Sequence, residues 1–169
     1  EKTLYFYILM RAIILAAGIA RRLYPLTVET PKCLLEVSGQ PIIDYQIKAL
    51  KEVGINEATV VVGYLSGLIV DHLKKVFGGF DLTFINNPYF SKTNTSYSLH
   101  LCEEALRGND CLLMNGDVLY PVELIRRILN DERENLLAVE VKRCGKEEVK
   151  VIEGKNQRLV SIGKELIEE

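Results

Sequence analysis

The chain has 169 residues, 48% of them hydrophobic, with 21 Lys+Arg against 23 Asp+Glu and a formal net charge of -2. Together with 26% charged residues, that apolar share excludes intrinsic disorder, and the near-neutral balance excludes the basic face that nucleic acid requires. The length suits one domain with a real core, and the composition that of a soluble, cytoplasmic protein.

Glu1–Leu9 directly precede Met10 and read as a tag or an extension, so the domain is expected over 10–169. Apolar runs rich in β-branched residues then recur at Arg11–Ala17, Ala58–Val62, Leu82–Asn86, Cys111–Asn115 and Leu136–Val141. They are continuous rather than alternating, which predicts strands buried on both faces. Helical periodicities lie between them. Pro41 is placed as a first helical residue before Ile42, Ile43, Tyr45, Ile47 and Leu50, with Gly54 as the stop. Further helices are predicted over Ser66–Val76, over Thr95–Leu106, and from Pro121 through Leu129. The tail from Val149 to Ile162 predicts two short strands around Gly154-Lys155-Asn156. Strand and helix in alternation mean a doubly wound, mostly parallel α/β sheet in three layers. In such a sheet ligands sit beyond the carboxyl ends of the strands. That rule singles out Ala17-Gly18, Val62-Gly63, Asn86-Asn87 and Asn115-Gly116-Asp117.

Several chemistries are absent. Cys33, Cys102, Cys111 and Cys144 form no C-x-x-C pair, and the two histidines, His72 and His100, stand alone. A zinc site and a Ser-His-Asp triad are therefore both unsupported. The apolar stretch from Leu4 to Ala17 is broken by Arg11 and is too short for a membrane span, so no membrane insertion is expected.

Four stretches carry chemistry. In Leu15-Ala16-Ala17-Gly18-Ile19-Ala20-Arg21-Arg22-Leu23-Tyr24-Pro25-Leu26-Thr27, small residues let backbone N–H groups approach an anion. Arg22 and, after Pro31, Lys32 add cations to this polyphosphate cradle. It is neither a Walker A loop nor G-x-G-x-x-G. Asp117, in Met114-Asn115-Gly116-Asp117, is placed either to hold Mg²⁺ beside a phosphate or to cap the helix after Pro121. The polar run around Asn94, Thr95 and Ser96 offers donors and acceptors, and any helix N-terminus could use it as a cap. Lys164 in the tail is a basic residue at a strand end.

The first stretch, continued by Pro31-Lys32-Cys33-Leu34 and Gly39-Gln40-Pro41-Ile42-Ile43, resembles the sugar-phosphate-type nucleotidyltransferases. Their signature is L-A-A-G-x-G-x-R-L-x-P-L-T followed by P-K. One position departs: the second glycine is Ala20. The resemblance implies a Rossmann-like fold that transfers a nucleoside monophosphate from an NTP to a phosphorylated acceptor. It implies catalytic roles for Arg22 and Lys32 and nucleotide binding by Leu15, Ala16, Ala17 and Gly18. Asp117 would be the ligand of a Mg²⁺ cofactor, and Lys164 the contact to the acceptor's phosphate. The segment Asn86-Asn87-Pro88 with Asn94–Leu99 looks like the branch that uses CTP with a phosphorylated alcohol such as phosphocholine or inositol phosphate. There Asn94, Thr95 and Ser96 would lie beside the base. A sugar-1-phosphate transferase using UTP, dTTP or GTP, or a non-catalytic nucleotide-binding relative, are the alternatives. Members of the family usually continue past the segment resembling Ser161–Leu166, so the resemblance also implies a chain short at its C-terminus.

Overall fold

The computed structural model describes residues 10–108, 110–146 and 148–166. By their contacts these fall into two compact units, one ending at Asn130 and the other beginning at Asp131. The sequence shows no linker composition at that point.

The first unit is built on four strands: β1 (Arg11–Ala16), β4 (Glu57–Val62), β5 (Asp81–Asn86) and β6 (Cys111–Asn115). All pair in parallel, in the spatial order β5-β4-β1-β6. The chain winds outward from β1 through β4 to β5, then returns to place β6 on the other side of β1. A crevice therefore opens between β1 and β6, where the winding reverses. Between β1 and β4 a two-residue hairpin, β2 (Glu36–Val37) with β3 (Gln40–Pro41), leads into helix α1 (Ile42–Glu52). Helix α2 (Ser66–Val76) follows β4, α3 (Thr95–His100) and α4 (Glu103–Leu106) follow β5, and α5 (Val122–Leu129) follows β6.

Alternate residues of the buried strands feed two cores. Ala12 and Ile14 of β1 join Val60 and Val62 of β4 against Ile43, Ile47 and Leu50 of α1, Ile69 and Leu73 of α2 and Ile125 of α5. Ile13 and Ala17 meet Val61 and Cys102 on the opposite face. On α1 the spacing of Ile43, Ile47 and Leu50 makes one apolar stripe, and Gly54, at φ +85°, turns the chain out of the helix in the left-handed conformation.

The predicted strands of this sheet and the helix Ser66–Val76 are present. Three expectations are corrected. Pro41 precedes α1 as an extended residue (φ −54°, ψ 143°) and is not its first helical one. The single helix expected over Thr95–Leu106 is two. The amide of Cys102 bonds Leu99 O, and Cys102 leaves the helical conformation (φ −92°, ψ 14°). The break turns its side chain, fully buried, into the second core. Leu136–Val141 is not a strand. Its aliphatic residues stay exposed, Val141 completely, and strand propensity is fit to a packed, paired surface, which this segment lacks among the described residues.

The second unit contains the expected hairpin, β7 (Lys150–Glu153) antiparallel to β8 (Leu159–Gly163), with a register shift at Ile152/Glu153. Asn156 and Gln157 in its turn both have positive φ. Arg133 binds Asp131 at 2.5 Å and Gln157 at 2.9 Å. No described helix is long and apolar enough to cross a membrane.

Candidate active site

Three of the four strand ends singled out by the winding rule, those after β1, β5 and β6, surround one cavity of about 700 Å³ in the first unit; Val62-Gly63 after β4 does not line it. Its wall from β1 is Leu15, Ala16, Ala17, Gly18 and Ala20, followed by Arg22 and Leu23. Lys32 and Cys33 enter from a short 3₁₀ turn, Lys32–Leu34. Asn87 and Phe90 come from beyond β5, Thr93, Asn94, Thr95 and Ser98 from the start of α3, and Asn115, Gly116 and Asp117 from the end of β6.

The loop after β1 is shaped for close approach. A Cβ at Gly18 would meet nothing within 4 Å, and the amides of Gly18, Ile19 and Ala20 make no backbone hydrogen bond among the described residues. Ala20 adopts the left-handed conformation (φ 54°, ψ 45°), the region its glycine counterpart in the signature occupies without penalty. The turn is held from behind by the fully buried Thr27, whose hydroxyl donates to Ala20 O at 3.1 Å. Tyr64, after β4, spans the loop: its amide donates to Ala17 O at 3.0 Å and its hydroxyl to Val28 O at 2.7 Å. Gly63 lies under Ala17 so closely that a Cβ would stand 2.8 Å from the Ala17 carbonyl oxygen.

Lys32 Nζ and Asp117 Oδ2 form an ion pair of 2.5 Å, with both side chains partly open to solvent. Asp117 therefore does not cap α5, which begins after Pro121 without a side-chain cap. Gly116 brings this carboxylate against β1; a Cβ there would stand 2.9 Å from Ala16 Cβ and Leu15 O. Beside the pair, burial pushes the Cys33 thiol up to about 12, with the Asp117 charge adding to the shift.

On the opposite wall Asn87, 1% exposed, organises the polar loop. Its amide nitrogen donates to Thr93 Oγ1 and Ser98 Oγ, both at 3.1 Å, and its oxygen accepts the Tyr89 amide at 2.9 Å. Asn94 both lines the cavity and caps α3, its Oδ1 accepting from Tyr97 N at 3.2 Å. Of the predicted residues, Leu15, Ala16, Ala17, Gly18, Arg22, Lys32, Asn94, Thr95 and Asp117 meet here. Ser96 is exposed on α3 and does not line the cavity. Lys164 belongs to the second unit, where its carbonyl accepts from Lys150 Nζ at 2.6 Å. Asn87, Thr93 and Ser98 fall in or beside the stretches singled out from sequence, where no individual role was assigned to them.

The model of the MobA-like NTP transferase domain matches residues 12–156. The chain belongs to this family. It is 36% identical over 142 residues to the CTP:phosphoglutamine cytidylyltransferase of Campylobacter jejuni, a match covering 80% of this chain and 54% of that one. Over 100 residues it is 45% identical to the choline-phosphate cytidylyltransferase of Streptococcus pneumoniae, covering 59% of this chain and 42% of the other. Among solved structures, the inositol-1-phosphate CTP transferase from T. maritima superposes with a TM-score of 0.73 at 26% identity, covering 94% of this chain and 65% of its own. These relatives are CTP-dependent, and sugar-phosphate nucleotidyltransferases are more distant. The MobA-like chain spans about half the length of the two cytidylyltransferases it matches.

Proposed function

We propose that this NTP transferase domain is a cytidylyltransferase that moves CMP from CTP to a phosphorylated small alcohol such as phosphocholine. The carrying observation is the convergence of Arg22, Lys32 and Asp117 with the open β1 loop on one cavity at the reversal of the sheet. In the reaction an acceptor phosphate oxygen attacks the α-phosphorus; the new O–P bond forms as the bond to the β-phosphate oxygen breaks and pyrophosphate leaves. A phosphate monoester, with a second pKa of about 6, is already anionic at neutral pH. No general base is needed, and the work is positioning and charge neutralisation.

The amides at Gly18–Ala20 receive the triphosphate, Arg22 steadies the β- and γ-phosphates, and Lys32 places a point charge at the α-phosphate and the leaving oxygen. Asn94 and Thr95, with Thr93 and Ser98 ordered by Asn87, face the cytosine. Lys164 is the candidate for the acceptor's phosphate on the family's pattern. The donor set suits Mg²⁺: Asp117 brings a partly exposed carboxylate to the cavity wall, and this ion is commonly held by one or two carboxylates plus substrate phosphates and water. Asp117 would hold it, and when bound it supplies charge neutralisation along the phosphates. None of the four cysteines forms a disulfide, which fits a reducing compartment such as the cytoplasm.

Pyrophosphate release tests the reading. It is expected with CTP and a phosphorylated alcohol, and to a much smaller extent with UTP, dTTP or GTP. Release with UTP and a sugar 1-phosphate, but not with CTP, would transfer the domain to the sugar branch.

A further inference from the structure

Gln46 of α1 is 1% exposed, yet no part of the mechanism above uses it. Its amide nitrogen donates twice, to Asn115 O at 2.8 Å and to Val118 O at 2.6 Å. Those carbonyls stand on either side of Gly116-Asp117, so one side-chain NH₂ group from a core helix brackets the residues that carry the carboxylate. The turn has further ties: Gly116 N donates to Leu15 O at 2.9 Å, Val118 N to Asn115 O at 3.4 Å and Asn115 N to the Tyr120 hydroxyl at 2.9 Å, while Lys32 pairs with the carboxylate itself. Two carbonyl acceptors require the NH₂ end of the amide to point at the turn. Gln46 Oε1 then points away from the turn and finds no protein partner among the described residues. A buried side-chain NH₂ group that serves two carbonyls of one turn ties that turn to the core helix, because buried polar groups are costly to leave unpaired.

We infer that Gln46 is a positioning residue for the metal carboxylate, fixing the Asn115–Val118 turn so that Asp117 is presented to the cavity before any ligand arrives. Gln46 lies behind the turn and acts only through it. The inference rests on the reading of Asp117 as the carboxylate that holds the metal. Outer partners of metal ligands typically change metal affinity by about 10–100-fold when removed.

The test uses Mn²⁺ as the paramagnetic stand-in for Mg²⁺, titrated into the whole chain with CTP present and followed by electron paramagnetic resonance. Gln46→Met, similar in volume but without donors, is expected to weaken Mn²⁺ binding by about tenfold while metal-free CTP binding changes by less than about twofold. Ile47→Val, a truncation in the same core one residue along the helix, is expected to lower the melting temperature and leave Mn²⁺ affinity unchanged. Asp117→Asn separates the two claims. If it leaves Mn²⁺ affinity unchanged, the reading of the site fails; if it weakens binding and Gln46→Met does not, the role of Gln46 alone is refuted. Equal weakening by Ile47→Val and Gln46→Met would also refute it, as general loosening of the core. Should Gln46→Met fail to fold, the unsubstituted protein decides by NMR. Two distinct, slowly exchanging Gln46 side-chain amide protons in the ligand-free state are expected, and fast exchange there would overturn the inference.

Discussion

Ala20 is an L-residue held at φ 54° and ψ 45° in the tight loop that lines the cavity after β1. The left-handed conformation costs such a residue roughly 1–2 kcal/mol, and a glycine would return part of that gain as unfolded-state entropy, about 0.4–1 kcal/mol. Ala20→Gly is therefore expected to stabilise the domain by about 0.5–1 kcal/mol, raising the melting temperature by ~1–4 °C in a thermal scan. Cys33 gives a second test. Burial favours its neutral thiol, so its contribution to stability is complete below the ordinary thiol value of 9.0 and is lost as pH rises from there towards about 12. At pH 8, iodoacetamide is expected to modify the exposed Cys144 and leave the buried Cys33 and Cys102 intact, as read by mass spectrometry of the peptides. The cationic and acidic members of the site were legible because Arg22, Lys32 and Asp117 sit in fixed spacing within motifs. Gln46 was not, because its buried amide takes its role from carbonyls distant in sequence; Asn87 and Thr27 lie within quoted motifs, but their anchoring role rests on burial that the motifs do not state.

At the scale of elements, the end of β6 shows how backbone shape delivers a side chain. Gly116 has no room for a Cβ between Ala16 and Leu15 O, each 2.9 Å from where that atom would stand. Gly116→Ala must push β6 away from β1 and is expected to cost about 1–3 kcal/mol. Denaturant unfolding measures that cost, and a loss of nucleotide binding beyond the loss of stability would show Asp117 displaced as well. The central strands were readable from continuous apolar runs, since burial on both faces removes alternation. Leu136–Val141 shares that composition but pairs with no strand among the described residues, and sequence alone does not say which apolar run finds a neighbour. The hairpin β2–β3, with two residues per strand, is too short to carry a periodic signal.

For the whole molecule, the alternation of strand and helix foretold the doubly wound sheet, and the winding rule then located the cavity before any side chain was considered. The division at Asn130/Asp131 was not foreseeable, because it lies in contact density and not in linker composition. Binding to the first unit should be visible as stability: a nucleotide at 100 times its dissociation constant adds about 2.7 kcal/mol, or ~5–10 °C. With Mg²⁺ present, CTP is expected to give the largest shift among CTP, UTP, GTP and dTTP. Equal shifts for all four would remove the base-recognition role of Asn94 and Thr95.

The ion pair between Lys32 and Asp117 means that neither residue can be altered alone without freeing the other. Lys32→Ala leaves a carboxylate unbalanced, and Asp117→Asn leaves an ammonium. A thermodynamic cycle over both single variants and the double variant is thus the proper instrument. In the empty protein the coupling in stability is expected below about 1 kcal/mol, as for partly exposed pairs. For residues in contact, energies fail to add by about 0.5–3 kcal/mol, and the larger departure is expected in CTP·Mg²⁺ affinity. On the proposed function, arrival of CTP·Mg²⁺ is then expected to be an exchange of partners, in which Lys32 turns from Asp117 to a phosphate and Asp117 from Lys32 to the metal ion.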